Sequence, residues 1–178
     1  MAPISLSIRK AVPEDAPTVL ALVRSAYRGE SSRAGWTTEA DLVDDQRIDL
    51  EGVLAKINEP FGAVLVAHDA TGDMIACCEI LKQNDTVGYF GLFAVNPLRQ
   101  AGGIGRIVLA RAEEYAKQTW GLSEMEMSVI WTREELIQYY LRRGYQRTEK
   151  KKPFPYDSLV SGKALRDDLY FSVLVKAL

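Results

Sequence analysis

Phe93-Ala-Val-Asn-Pro-Leu-Arg-Gln-Ala-Gly-Gly-Ile-Gly105 decides how this chain is read. The apolar run from Val87 to Val95 reads as a strand and stops at Asn96-Pro97. Glycines follow at 102, 103 and 105. From Ile104 the apolar spacing turns helical through Val108, Leu109, Ala112 and Tyr115, and Gly121 ends it. A strand running through a glycine turn into a helix presents free backbone N–H groups and a helix dipole to an anion. Glycine also lets a ligand approach the backbone, although a plain tight turn would use the same residues. Two nucleotide motifs fail here. A P-loop needs Gly-Lys-Ser/Thr, whereas Gly105 precedes Arg106-Ile107. A dinucleotide fingerprint drawn from Gly103 and Gly105 puts Val108 where its third glycine belongs.

Working outward, Ala63–His68, Met74–Leu81 and Val87–Val95 read as an antiparallel meander with turns at 69–73 and 83–85. Upstream, a strand at Leu6–Ala11 precedes a helix that opens on Pro13-Glu14-Asp15 and runs to Arg28. Residues 29–37 read as a loop. Thr38 and Asp41 predict a capped helix over 39–45, and a further helix covers 50–58. Downstream, Met125, Met127 and Val129 alternate with polar residues, the mark of a half-buried strand at 124–130. Thr132 with Glu135 predicts a capping box for a helix that stops at Gly144. A strand at 145–150, a loop at 151–167 and a strand at 169–176 follow. This order specifies an α+β fold with a local strand–helix–strand crossover. No linker or repeat divides it, so one domain over 1–178 is expected.

Composition narrows the function. Lysine plus arginine is 22 against 24 for aspartate plus glutamate, a formal charge of −2, so no basic nucleic-acid footprint is visible. One histidine, His68, and two cysteines, Cys77 and Cys78, exclude zinc clusters and disulfide frameworks, and no metal is expected. Neighbours on a strand point to opposite faces, so Cys77 and Cys78 read as two small buried thiols. No apolar run of about 18 residues exists for a membrane span. No leader is apparent at the start, and a cytoplasmic location is expected.

The chain resembles the GCN5-related N-acetyltransferase (GNAT) family. The family's Arg/Gln-x-x-Gly-x-Gly/Ala signature appears as Gln100-Ala-Gly-Gly103-Ile-Gly105, flanked by Val95-x-Pro97 and the long helix. A second motif, Tyr-x-x-x-Gly-Phe/Tyr, appears as Tyr140-Leu-Arg-Arg-Gly144-Tyr145. Ile8-Arg-Lys-Ala-Val-Pro-Glu-Asp15 looks like the family's first strand and helix start, so the resemblance covers roughly residues 6–148. It implies a central, mostly antiparallel twisted sheet of six to seven strands flanked by helices. Two departures stand out. Gln100 replaces the commoner arginine, and Arg133 occupies the place, seven residues before Tyr140, where the family often has asparagine.

What the resemblance implies is acetyl-CoA as co-substrate and a small-molecule or peptide amine as acceptor, joined by direct attack. The cofactor would lie against Phe93, Ala94 and Val95, the backbone of Gln100, Ala101, Gly102, Gly103, Ile104, Gly105 and Arg106, and Arg133. A bulge in the strand ending at Val95 would splay it from the strand at 124–130 and open a slot. Backbone N–H near Phe93 or Ala94 would polarise the thioester carbonyl. Tyr140 is the expected general acid for the departing thiolate. Tyr139 competes, although helical neighbours diverge by about 100°. Glu79, a charge inside an apolar strand, is the best candidate base, with a structural role as the alternative. The acceptor pocket would draw on Tyr27, Trp36, Glu39 and Phe154, and Lys150–Lys152 reads as a solvated turn. A non-catalytic acyl-CoA-binding module of the same fold is the competing function. The final strand and the meander edge are expected to offer pairing edges for a homodimer.

Overall fold

The computed structural model describes residues 4–178; residues 1–3, the head of the segment read for a leader, lie outside the described residues. Among the described residues nine strands and five helices form, together with three short 3-10 turns. They are β1 (Ser7–Lys10), α1 (Ala16–Tyr27), α2 (Gly29–Ser32), β2 (Val43–Asp44), α3 (Leu50–Ile57), β3 (Gly62–His68), β4 (Met74–Lys82), β5 (Val87–Val95), α4 (Ile104–Trp120), β6 (Glu124–Ile130), α5 (Glu134–Leu141), β7 (Gln146–Pro153), β8 (Lys163–Ala164) and β9 (Tyr170–Ala177). Seven strands make one mostly antiparallel sheet in the order β1-β3-β4-β5-β6-β9-β7, and β2 pairs with β8 separately. No helix among the described residues is long and apolar enough to cross a membrane.

Alternation along the strands builds two cores, one on each face. Val64 and Val66 of β3 and Cys77 of β4 pack with α1 and α3. Leu65 and Ala67 of β3 and Cys78 and Ile80 of β4 pack with α4 and α5. The two adjacent cysteines therefore belong to opposite cores, as period-two geometry requires. Both are free and buried.

The parity breaks in the middle of β5. Cys77 pairs with Ala94 but Glu79 pairs with Gly91, so Leu92 and Phe93 together face the single residue Cys78. This is the expected bulge, and Leu92 carries it at φ 46°. The extra residue flips the strand. Phe90 faces α4, whereas Leu92 and Ala94 face α1. Bending β5 ends its parallel pairing with β6 at Tyr89 and Glu126. Beyond that point β5 follows β4 and β6 follows β9, and the sheet opens.

Several sequence expectations need correction. Residues 39–45 form no helix. Leu42 and Val43 N–H close one turn on the Glu39 carbonyl, and then β2 pairs with β8, inside the segment read as a continuous loop. Buried ion pairs of Glu39 and Asp45 with Arg28 override the local helix signal. The capping box at Thr132 is absent too. Arg133 N–H closes a turn on Ile130 O at 2.9 Å, α5 starts at Glu134, and Thr132 Oγ1 is buried without a partner. Lys150–Lys152 lie within β7, where Lys152 Nζ reaches Glu126 Oε1 at 2.6 Å. The two strands expected to offer free edges are interior: β9 lies between β6 and β7, and β3 between β1 and β4.

Candidate active site

Two cavities meet where β5 leaves β6. One, of about 300 Å³, lies beneath the glycine turn and is lined by Trp36, Phe93, Val95, Gln100, Gly103, Gly105 and Tyr139 among others. The other, of about 290 Å³, lies between α1, β5, β6 and the segment after β7. Tyr27, Phe93, Leu136 and Tyr140 line both.

The glycine turn owes its shape to two residues. A 3-10 turn over Pro97–Gly102 ends at Gly103, whose φ of 74° lets it cap α4 in the left-handed region. The first bond of the helix then runs from Ile107 N–H to Gly103 O at 3.2 Å, leaving the N–H groups of Ile104, Gly105 and Arg106 without intrahelical acceptors. At Gly105 a Cβ would stand 2.9 Å from the Tyr139 hydroxyl and 3.3 Å from Phe93 Cζ, so a larger residue would have to displace these rings. Such a turn suits an anionic group, and no acidic side chain lines this cavity among the described residues.

Gln100 takes a structural position here. Its Nε2 donates to Thr37 Oγ1 at 2.7 Å and Val95 O at 3.2 Å, and its Oε1 accepts Trp36 N–H at 2.9 Å. The side chain thus clasps the 35–37 loop to the end of β5. Trp36, expected at the acceptor, sits in this cavity with its ring 5.3 Å from that of Tyr139. Ala101 also lines it. Ala94 and Ile104 are buried in opposite cores, so only their backbones can face a ligand. Gly102 is exposed, and Arg106 lines a separate groove beside β1.

Tyr140 comes from α5 and is 4 % exposed. Its ring is wedged edge-on between those of Tyr139 and Tyr145, at 5.4 and 5.9 Å. Burial pushes its phenol well above the usual range, so the hydroxyl stays protonated. Tyr139 and Tyr140 both line the cavity beneath the glycine turn. The Tyr27 hydroxyl donates to Phe93 O, fixing the 93–94 peptide plane within the bulge.

The second cavity is densely charged. Glu79 is 6 % exposed, and Lys56 Nζ reaches its two oxygens at 2.9 and 2.7 Å. Glu39 is surrounded by three arginines. Arg28 bonds it directly, Arg133 Nη1 lies at 2.8 Å and Arg47 Nη1 at 3.5 Å. Burial would raise the Glu39 pKa, but the guanidinium groups of Arg133, Arg47 and Arg28 outweigh it and hold the carboxyl at about 2. Arg133 also donates to Thr37 O at 2.6 Å, which places it in this cluster and away from the glycine turn. Phe154, packed on Tyr156 and Phe171, forms the apolar wall. His68, at the end of β3, lines neither cavity. Burial raises the Cys77 thiol to about 12, and Cys78 well above its usual range, which removes both as nucleophiles at neutral pH.

Sequence reasoning missed Arg28, Arg47 and Lys56. The only signal was the alternation of acids and bases over residues 28–47, which by itself describes a solvated loop.

The geometry fits what the comparisons find. No curated protein matches the chain. Among solved structures, a spermidine/spermine N-acetyltransferase, SpeG from Vibrio cholerae, superposes with a TM-score of 0.66 at 15% identity, covering 97% of this chain and 92% of that one. PaiA N-acetyltransferase from Thermoplasma acidophilum, in complex with coenzyme A, gives 0.71 at 18% identity over 98% and 100% of the two chains. IAA acetyltransferase from Bacillus cereus gives 0.66 at 19% over 98% and 100%. These likenesses establish the fold, that of acyl-CoA N-acyltransferases. Residues 21–145, which contain the clasped loop, the bulged strand, the glycine turn and Tyr140, match the Acetyltransferase (GNAT) family, and the chain belongs to it.

Proposed function

We propose that this protein is an N-acetyltransferase that moves the acetyl group of acetyl-CoA to a primary amine of a small molecule or peptide by direct attack. The observation that carries the reading is the position of Tyr140, on the wall common to the cavity beneath the glycine turn and the charged cavity. The unpartnered N–H groups of the first turn of α4 suit a pyrophosphate, and the free stretch of β5 beyond Tyr89 suits the amides of a pantetheine arm. The PaiA structure, which holds coenzyme A, supports an acyl-CoA donor. A cytoplasmic location is consistent with this chemistry.

The acceptor enters the charged cavity. Its neutral nitrogen attacks the thioester carbonyl carbon; the C–N bond forms and the carbonyl oxygen becomes an oxyanion. A backbone N–H near Phe93, beside the carbonyl that Tyr27 holds in the bulge, is the candidate donor to that oxygen. Collapse breaks the C–S bond, and the Tyr140 hydroxyl donates its proton to the leaving sulfur. Glu79 takes the proton released by the amine, directly or through water, and solvent returns one to Tyr140. The net reaction is amine plus thioester giving amide plus thiol.

The test is calorimetric titration with acetyl-CoA, followed by thiol-release assays over a panel of amines. Selective binding of acetyl-CoA and CoA over ATP and NAD is expected. Tyr140→Phe should lower kcat by about 100-fold while leaving acetyl-CoA affinity within about twofold. Glu79→Gln should lower kcat/KM most at the pH where the wild type needs its base. A folded sample that binds no acetyl-CoA overturns the proposal.

A further inference from the structure

The charged cavity is out of balance. Its lining cations are Arg28, Arg47, Lys56 and Arg133, and its lining anions are Glu39 and Glu79. Asp45, behind Arg28, supplies a third negative charge. Three of the four cations are matched. Arg28 holds Asp45 and Glu39, Lys56 holds both oxygens of Glu79, and Arg133 holds Glu39 and a carbonyl. Arg47 is the one left over. Its only polar contact among the described residues is the 3.5 Å approach of Nη1 to Glu39, an oxygen that Arg28 already occupies. Its Nε is buried with no partner. The guanidinium sits over the Tyr27 ring, 4.2 Å from the centroid, a contact that leaves its donors unsatisfied. Ser128 lines the same cavity, and its Oγ is likewise buried without a partner.

A buried donor left unpaired is unfavourable, the more so when it is charged, so such a group in a cavity marks where a ligand supplies the acceptor. An oxyanion is what a planar guanidinium with free donors recognises. Tyr27, on which Arg47 lies, also lines the cavity beside Tyr140. The positive excess disfavours a polycation, which would bring its charges against the four cations already there.

Resting on the acetyltransferase reading above, we infer that the acceptor is a small amino carboxylate, an amine whose own carboxylate is held by Arg47 while its amine reaches Tyr140. The apolar wall of Phe154, Phe171, Leu92 and Met127 accommodates an apolar body.

The test compares matched pairs in the thiol-release assay with the full chain: leucine, methionine and phenylalanine against their primary amides, with spermidine alongside. Each amide lacks the negative charge and carries a less basic amine, so kcat/KM is expressed per neutral amine. At least one acid should be turned over with kcat/KM about tenfold or more above its amide and above spermidine, a difference of about 1.4 kcal/mol. Arg47→Gln should bring the acid-to-amide ratio close to one, and Arg47→Lys should restore part of it. Thermal melts and acetyl-CoA titrations of both variants check folding. Preference for the amides or spermidine overturns the inference. So does an unchanged ratio in Arg47→Gln, or acetyl-CoA binding with no acid either reacting or binding beside CoA. Failure to bind acetyl-CoA at all overturns the reading beneath it instead.

Discussion

Replacing Glu39 with glutamine separates a structural carboxylate from a substrate ligand. Glu39 is 6 % exposed and bonded to Arg28 and Arg133, with Arg47 nearby. Desolvation opposes its charge, yet the three guanidinium groups hold its pKa at about 2. An unfolded glutamate titrates at about 4.3, so the depression is worth about 3 kcal/mol of folding stability at neutral pH. Removing one partner of a buried pair costs about 3–5 kcal/mol by independent experience, which agrees. The sign follows from the depressed pKa. The stabilisation is complete above the unfolded value and disappears as pH falls toward about 2. Glu39→Gln should therefore lower unfolding free energy by about 3 kcal/mol at pH 7, or Tm by about 6–12 °C for a chain of this size. The gap to wild type should narrow between about pH 4.3 and 2. Urea melts at several pH values measure both quantities. A loss below about 1 kcal/mol at pH 7, or parallel pH profiles, would refute the argument. A stable variant with a raised KM for the acceptor would instead make Glu39 the substrate ligand that the sequence alone suggested.

Two further outcomes follow from packing. Cys77 and Cys78, buried in opposite cores with raised thiol pKa values, should resist a thiol reagent in the folded protein and react together on unfolding; fast labelling of the native state would contradict the burial. Gly105→Val would drive a branched side chain into the Tyr139 hydroxyl and Phe93, already 2.9 and 3.3 Å from a modest Cβ. Acetyl-CoA affinity should fall at least tenfold on calorimetry, with a stability loss of about 1–3 kcal/mol from overpacking; unchanged affinity would remove the turn from the donor site.

Much of the fold was legible because its signals are local. Val64 and Leu65 divide between two cores because side chains alternate along a strand. Gly121 and Gly144 stop helices at φ 66° and 94°, conformations that favour glycine. The failures share a cause. Thr38 and Thr132 were read as caps, but long-range ion pairs and a tight turn after β6 took precedence. The arginine cluster carried no local mark, since Arg133 reaches Glu39 across 94 residues of chain.

By itself, then, the sequence determined the strand–turn–helix around Gly103 and Gly105, the alternating sheet and the placement of Tyr140 on an amphipathic helix, all set by neighbours within a few residues. Tertiary structure alone decided which charges are used up. Glu39 became an anchor, Gln100 a clasp and Arg47 the cation without a match, because the strength of a charge depends on its burial and on partners brought in from distant parts of the chain.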